Sequence, residues 1–170
     1  MPAPPGGHPF AIGRYDVSNA DFARYCRASG KCHWSGASPG LPVTSISIAQ
    51  AQGYLHWLSR KSGAVYRLPT AAEYVYAADA GTSGGEDLNA NCRKPGVAAT
   101  LLPVNSGEPN AWGLYNFDGN VQQWVRSAGR LQARGGDYRD SFSECKPSTA
   151  RPQSGAPSAV TGFRVLREIK

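Results

Sequence analysis

An α+β fold of short helices and short strands joined by long loops is the class this sequence predicts, and three observations predict it. Twenty glycines and thirteen prolines are spread along 170 residues, too many for long regular elements to dominate. Three stretches of the first half read as helices, two opening with a Ser/Thr-x-x-Asp/Glu capping box and all three with apolar residues at helical spacing. Beyond Gly81 the helical signals fade, and short apolar segments alternate with turn residues.

Residues 1–8, Met-Pro-Ala-Pro-Pro-Gly-Gly-His, read as a linker or a remnant of cloning, so a single domain is expected over 9–170. Phe10, Ile12 and Val17 mark an early strand or strand pair. Ser18 and Asp21 form the first capping box, after which Phe22, Tyr25 and Cys26 fall on one helical face. A loop runs from Ser29 to Pro42, and Pro42 to Ile48 alternates as an extended segment. From Ala49 to Arg60, Ala51, Tyr54, Leu55 and Leu58 define a second helix, with His56 read as a surface histidine because no acid or second histidine is spaced to join it. Thr70 and Glu73 cap a third helix that buries Tyr74, Ala77 and Ala78 and ends at Gly81. Leu101 to Val104, Val121 to Val125, Leu131 to Ala133 and Gly162 to Leu166 supply the short strands.

Within that half, Asn110 to Trp124 (NAWGLYNFDGNVQQW) is the most distinctive stretch. Trp112, Leu114, Tyr115, Phe117, Val121 and Trp124 anchor it, while Asn110, Asn116, Asp118, Asn120 and Gln123 line it with oxygens. Such residues also serve turns, because Asn and Asp bond their own backbone and tolerate left-handed conformations. A hard cation such as calcium takes about 6–8 oxygen ligands, and here Asp118 is the only carboxylate, which predicts weak binding or none.

The net charge of +6 suits an acidic partner, yet no run of Lys and Arg exceeds two, which disfavours nucleic acid and leaves an anionic glycan or an acidic protein surface. No apolar stretch is long enough to span a membrane and no signal-peptide core opens the chain, so no membrane insertion of this domain is expected. Cys26, Cys32, Cys92 and Cys145 allow three pairings. A Cys26–Cys32 bridge across Ser29-Gly30 would favour an extracytoplasmic location, whereas buried thiols would suit the cytoplasm. A zinc site from Cys26, Cys32 and His33 lacks a second ligand cluster.

Seven segments, Phe10 to Asn19, Pro42 to Ser47, Tyr66 to Glu73, Asn110 to Tyr115, Gly119 to Val121, Arg134 to Gly136 and Gly162 to Val165, resemble in order the motifs of the formylglycine-generating enzyme, or sulfatase-modifying factor, family. The resemblance covers nearly the whole chain and implies a C-type lectin-like variant of the α+β class. It also implies an activity to test residue by residue, because fold does not fix function. The family's enzymes oxidise a substrate cysteine with molecular oxygen at a copper held by two cysteines, five residues apart, after an Arg-Gly-Gly-Ser segment. Here Asp137 stands for the serine, Asp140 for the first cysteine and Cys145 for the second. One thiolate beside two carboxylates does not suit copper(I), which selects soft sulfur ligands. Another branch uses non-haem iron held by several histidines, whereas this chain has only His8, His33 and His56.

The same resemblance puts a family calcium site at Asn116, the Gly119 and Val121 backbone, and Gln123, where Gln replaces the usual Glu and removes the main attraction. Gln122-Gln-Trp124 replaces Trp-Glu-Trp. A retained scaffold beside lost catalytic positions leads to the expectation of a non-catalytic, monomeric binding or sensor module for a protein, peptide or glycan, part of a larger bacterial protein such as a kinase. Its contact surface would comprise Trp112, Gln122, Arg126, Arg130, Arg139, Asp140, Phe142 and the Ser143 to Pro157 loop. Arg134 and Arg164 are read as structural, tying loops to the core. The alternative is a metal-dependent oxidoreductase with altered chemistry, using Cys145 with Asp137 and Asp140.

Overall fold

Capping chemistry fixes where each helix of the computed structural model begins. The structure describes residues 7–35, 38–80 and 91–169. Ser18, Ser47 and Thr70 each accept a bond from the backbone N–H three residues on, and Asp21, Gln50 and Glu73 reach back to the cap. They open α1 (Asn19–Ser29), α2 (Ile48–Ser62) and α3 (Ala71–Ala78). Gly30 and Gly63 end the first two in the left-handed conformation. The second helix is longer than its apolar spacing predicts, because Ser47 with Gln50 makes a third capping box one residue ahead of Ile48. The third stops at Asp79, and the expected stop at Gly81 lies outside the described residues.

The strands are β1 (Phe10–Ile12), β2 (Tyr66–Arg67), β3 (Gln122–Ser127), β4 (Arg130–Arg134), β5 (Ala150–Pro152), β6 (Thr161–Gly162) and β7 (Leu166–Glu168). One sheet has the order β1-β7-β2, antiparallel throughout, and joins the two ends of the domain through Phe10 opposite Glu168. The other has the order β5-β4-β3-β6, with β3 and β6 parallel.

Two expected strands are absent from their places, each for a local reason. At Leu101 to Val104 the ladder is replaced by a side chain: Leu102 N–H donates to Asn120 Oδ1 at 3.0 Å and Asn120 Nδ2 donates back to Leu102 O at 3.1 Å. Between Pro42 and Ile48 only a Ser18–Pro42 bridge forms, and Ser45, with φ of 57°, bends the segment away. The Phe10 to Val17 strand is cut to three residues, though Gly13 and Val17 still donate to Val165 and Phe163.

Strand β3 is buried from two sides. Successive side chains on a strand point to opposite faces, so Trp124 joins Phe22, Tyr25, Tyr54 and Phe163 under α1 and α2, whereas Val125 joins Tyr74, Leu114 and Phe117 under α3. That placement brings the Asn110 to Val121 loop, which leads into β3, against the molecule's second core cluster. Among the described residues, no helix is long and apolar enough to cross a membrane.

Candidate functional site

The loop before β3 is held by its amides. Asn110 accepts from Trp112 and Leu114 N–H and donates to the Ala77 and Ala78 carbonyls at the end of α3, so one side chain both folds the loop and caps the helix. Asn116 and Asn120 adopt left-handed backbone, with φ of 55° and 61°. Gly119 is required by space as well as conformation: a Cβ there would lie 2.5 Å from Asn91 O and 2.7 Å from Cys145 Sγ.

Arg164 fills the interior of this loop. Fully buried, its guanidinium donates to the carbonyls of Gly13, Arg14, Tyr115 and Asn116 and to Gln123 Oε1, and it lies 4.0 Å from the centre of the Phe117 ring. The expected structural role of Arg164 is thus visible in its contacts. Asp16 Oδ1 is 3.6 Å from the guanidinium, and neither Asp16 oxygen has a hydrogen-bond partner among the described residues. Burial pushes the Asp16 carboxyl up to about 7 against the opposing pull of Arg164, and burial also lowers the Arg164 pKa.

This packing bears on the candidate calcium ligands. The Gln123 carboxamide is spanned by Arg164 Nε at 3.1 Å and by its own donation to Asn116 O at 2.7 Å. Asn116 donates its amide to Val104 O at 2.8 Å. The set of Asn116, Gly119, Val121 and Gln123 therefore has no carboxylate, and its oxygen at position 123 already faces a guanidinium. Those features do not fit a divalent cation.

The second loop system follows β4. Gly135 and Gly136, with φ of 95° and 70°, turn the chain so that Asp140 Oδ2 accepts from Asp137 N–H at 2.8 Å while Asp140 N–H donates to Asp137 O at 2.9 Å. The same Asp140 oxygen accepts from Arg151 Nη1 at 2.7 Å, which also reaches Gln122 Oε1 at 3.3 Å. Glu144 approaches the other Arg151 nitrogen at 3.5 Å, and the bond to Asp140 is the first cause of a raised Arg151 pKa. Arg139 pairs with Asp137 at 3.3 Å. Asp140 also accepts through its backbone from Arg93 N–H at 2.8 Å. Asp140 thus works as a turn cap and as half of a partly buried ion pair.

Cys145 is bonded to Cys92, and Cys26 to Cys32. While the bridge stands, Cys145 offers no thiolate to a metal beside Asp137 and Asp140, the place the oxidoreductase alternative gives it. The Cys26–Cys32 bridge answers the open question of that pair in favour of a disulfide, and Cys26 and Cys32 are then not zinc ligands. Among the described residues, no three His, Cys, Asp or Glu side chains gather as a metal-binding group.

The remaining expected surface residues are only partly brought together. Gln122, Arg139 and Asp140 join the Arg151 network. Phe142 is 49% exposed and, with Arg93, Lys94 and Val97, lines a neighbouring cleft of about 520 Å³. Trp112 packs edge-on against Tyr76 at 5.3 Å, Arg126 is tied through its backbone to Pro69, and Arg130 is exposed at the β3–β4 turn. Arg134 Nη1 donates to Ser148 O at 2.9 Å. Sequence reasoning missed Arg151, whose only signal was an arginine inside the Ser143 to Pro157 loop, and missed Cys92 as the partner of Cys145.

Comparison with known proteins agrees with this architecture. The sulfatase-modifying factor enzyme 1-like domain matches residues 6–169. The serine/threonine-protein kinase pkn1 of Chlamydia pneumoniae is 27% identical over 188 residues, covering 94% of this chain and 28% of the kinase. The formylglycine-generating enzyme of Streptomyces coelicolor is 33% identical over 127 residues, covering 62% of this chain and 38% of the enzyme. The chain therefore spans well under half the length of either relative. The structure of PvdO from Pseudomonas aeruginosa superposes with a TM-score of 0.83 at 25% identity, covering 95% of this chain and 81% of that one. CarF, at 22% identity and a TM-score of 0.79, covers 95% of this chain and 87% of its own, and shares the fold. With a family match spanning nearly all of its length, the chain belongs to the sulfatase-modifying factor enzyme 1-like, or formylglycine-generating-enzyme-like, domain family.

Proposed function

We propose that this domain is a non-catalytic binding or sensor module whose family active face has become a recognition surface. One observation carries the reading: both positions expected to supply copper-binding thiols are committed to structure, Asp140 to Arg151 and Cys145 to Cys92. A carboxylate engaged by a guanidinium and a sulfur engaged by another sulfur leave no soft donor pair for copper(I). The surface around them, with exposed Phe142, Arg139 and the 143–157 loop, suits a protein, peptide or glycan. A match covering 94% of this chain but 28% of a serine/threonine-protein kinase supports a domain working within a larger bacterial protein.

Metal analysis of the purified domain, with Cys145→Ala as control, tests this reading. The module reading expects no stoichiometric copper or iron in either protein. Stoichiometric redox metal lost with Cys145→Ala would replace it with an oxidoreductase of altered chemistry.

A further inference from the structure

The face opposite in character to the acidic Asp137–Asp140 turn is formed by α1 and α2. No Asp or Glu occurs between Asp21 and Glu73, whereas Arg24, Arg27, Lys31, Arg60, Lys61 and Arg67 all fall there. Arg67 is committed to Glu73 and Glu168, and Arg24 approaches Asp21 at 3.7 Å. Arg27, Lys31, Arg60 and Lys61 have no ion pair among the described residues. The α1–α2 layer therefore carries a group of cations with no acid between positions 21 and 73, although no stripe is visible in the linear sequence.

Two clefts flank α1 on this layer. The one between α1 and α2 has a volume of about 390 Å³ and is bordered by Lys31, His56, Arg60 and Lys61. Its floor is Tyr25 over Gly53, where a Cβ would lie 2.6 Å from the tyrosine oxygen. Tyr25 is only 3% exposed, and its hydroxyl has no hydrogen-bond partner among the described residues. That hydroxyl opens to solvent at the bottom of a cationic cleft, where a ligand can bond it in place of water. Trp57 forms the wall, packed on Tyr25 and Tyr54 and carrying the Lys61 ammonium 5.1 Å from its ring centre.

The second cleft, about 350 Å³, repeats the arrangement with Trp34, Arg24 and Arg27. Trp34 is fixed edge-on to Phe22 at 5.2 Å and donates to Asn19 Oδ1 at 3.1 Å.

From the cations and the fixed tryptophan of the α1–α2 cleft, with a second cleft of like make-up on another side of α1, we infer that the α1–α2 layer binds an acidic polysaccharide, with a uronate or sulfate-bearing sugar in the cleft bordered by Lys31, Arg60 and Lys61. The cations match the charge of such a ligand. The tryptophans, held by ring contacts to the core, offer flat walls to sugar rings. The exposed large apolar side chains, Val65, Val97, Leu102, Phe142 and Ile169, line neither cleft, which leaves this face without the insertion residues of a membrane surface.

Titration calorimetry with a heparin oligosaccharide of defined length, at physiological and at raised salt, tests the inference. Saturable binding is expected to weaken about tenfold in Lys31→Ala/Arg60→Ala/Lys61→Ala and to weaken with salt, as rim charges do. Tyr25→Phe keeps the ring and removes the hydroxyl, and a smaller loss of about threefold is expected. Arg167→Ala, which removes an exposed charge elsewhere, should bind as the parent does. Melting curves establish that each variant is folded, and Tyr25→Phe gives a second readout if the triple variant is not. No saturable binding, equal affinity in the cleft variants, or tighter binding of single-stranded DNA than of the oligosaccharide would overturn the inference. None of these outcomes depends on the metal content of the Cys145 face.

Discussion

The two disulfides divide the molecule into regions built on different principles. Cys26–Cys32 closes a separation of six residues at the end of α1, within a region whose helices are specified by adjacent residues. Cys92–Cys145 closes a separation of 53 and joins two loops that have no regular ladder between them among the described residues. In the first region the bridge restates what capping boxes and apolar spacing already impose. In the second it stands beside Gly119, Asn120 and Asp140 as one of the few ties that give long loops a shape.

Removing each bridge should expose that difference most strongly. If the disulfide acts by restricting the unfolded chain, Cys92→Ser/Cys145→Ser costs about 4 kcal/mol and Cys26→Ser/Cys32→Ser about 2 kcal/mol. Denaturant unfolding of the two variants measures the gap. Equal losses would mean that the loop region keeps its shape without its bridge.

The buried Asp16–Arg164 pair links the regions, because Arg164 gathers carbonyls from both the β1 segment and the loop before β3. Asp16, raised to about 7 from 3.8, keeps a proton in the folded state that the unfolded chain has released across most of that interval. Its contribution to stability is complete below the unfolded value and is lost as pH rises to the folded value. Relative to the parent, Asp16→Asn should therefore gain on the order of 1 kcal/mol for each pH unit between about 5 and 7. A pH-independent difference between the two proteins would mean that Asp16 does not titrate in this range.

The smallest effect is expected from calcium. With Gln123 facing Arg164, melting temperature should be the same in excess calcium and in chelator. A rise with calcium would place a cation in the loop and displace the reading of Arg164 as its internal charge.

Legibility followed the same division. Ser18 with Asp21 and Thr70 with Glu73 announced their helices because both members of each box lie within one turn. The family resemblance, carried by seven ordered segments, reached the fold of the rest. It could not reach Asn120 standing in for a strand at Leu102, nor Arg151 crossing eleven positions to Asp140, because these bonds depend on loops already placed by tertiary packing. The charge of the helical layer was hidden for a related reason: Lys31 and Arg60 are far apart in sequence and border one cleft only after α1 packs on α2.

A count of reactive thiols in the native protein, prepared without reductant and compared with the denatured protein before and after reduction, tests most directly whether the family's catalytic sulfur has become structural. No reactive thiol is expected before reduction, native or denatured, and four are expected after it, with Cys145 recovered in a peptide linked to Cys92. A free, alkylatable Cys145 in the native protein would contradict this and return that thiol to the candidate catalytic groups.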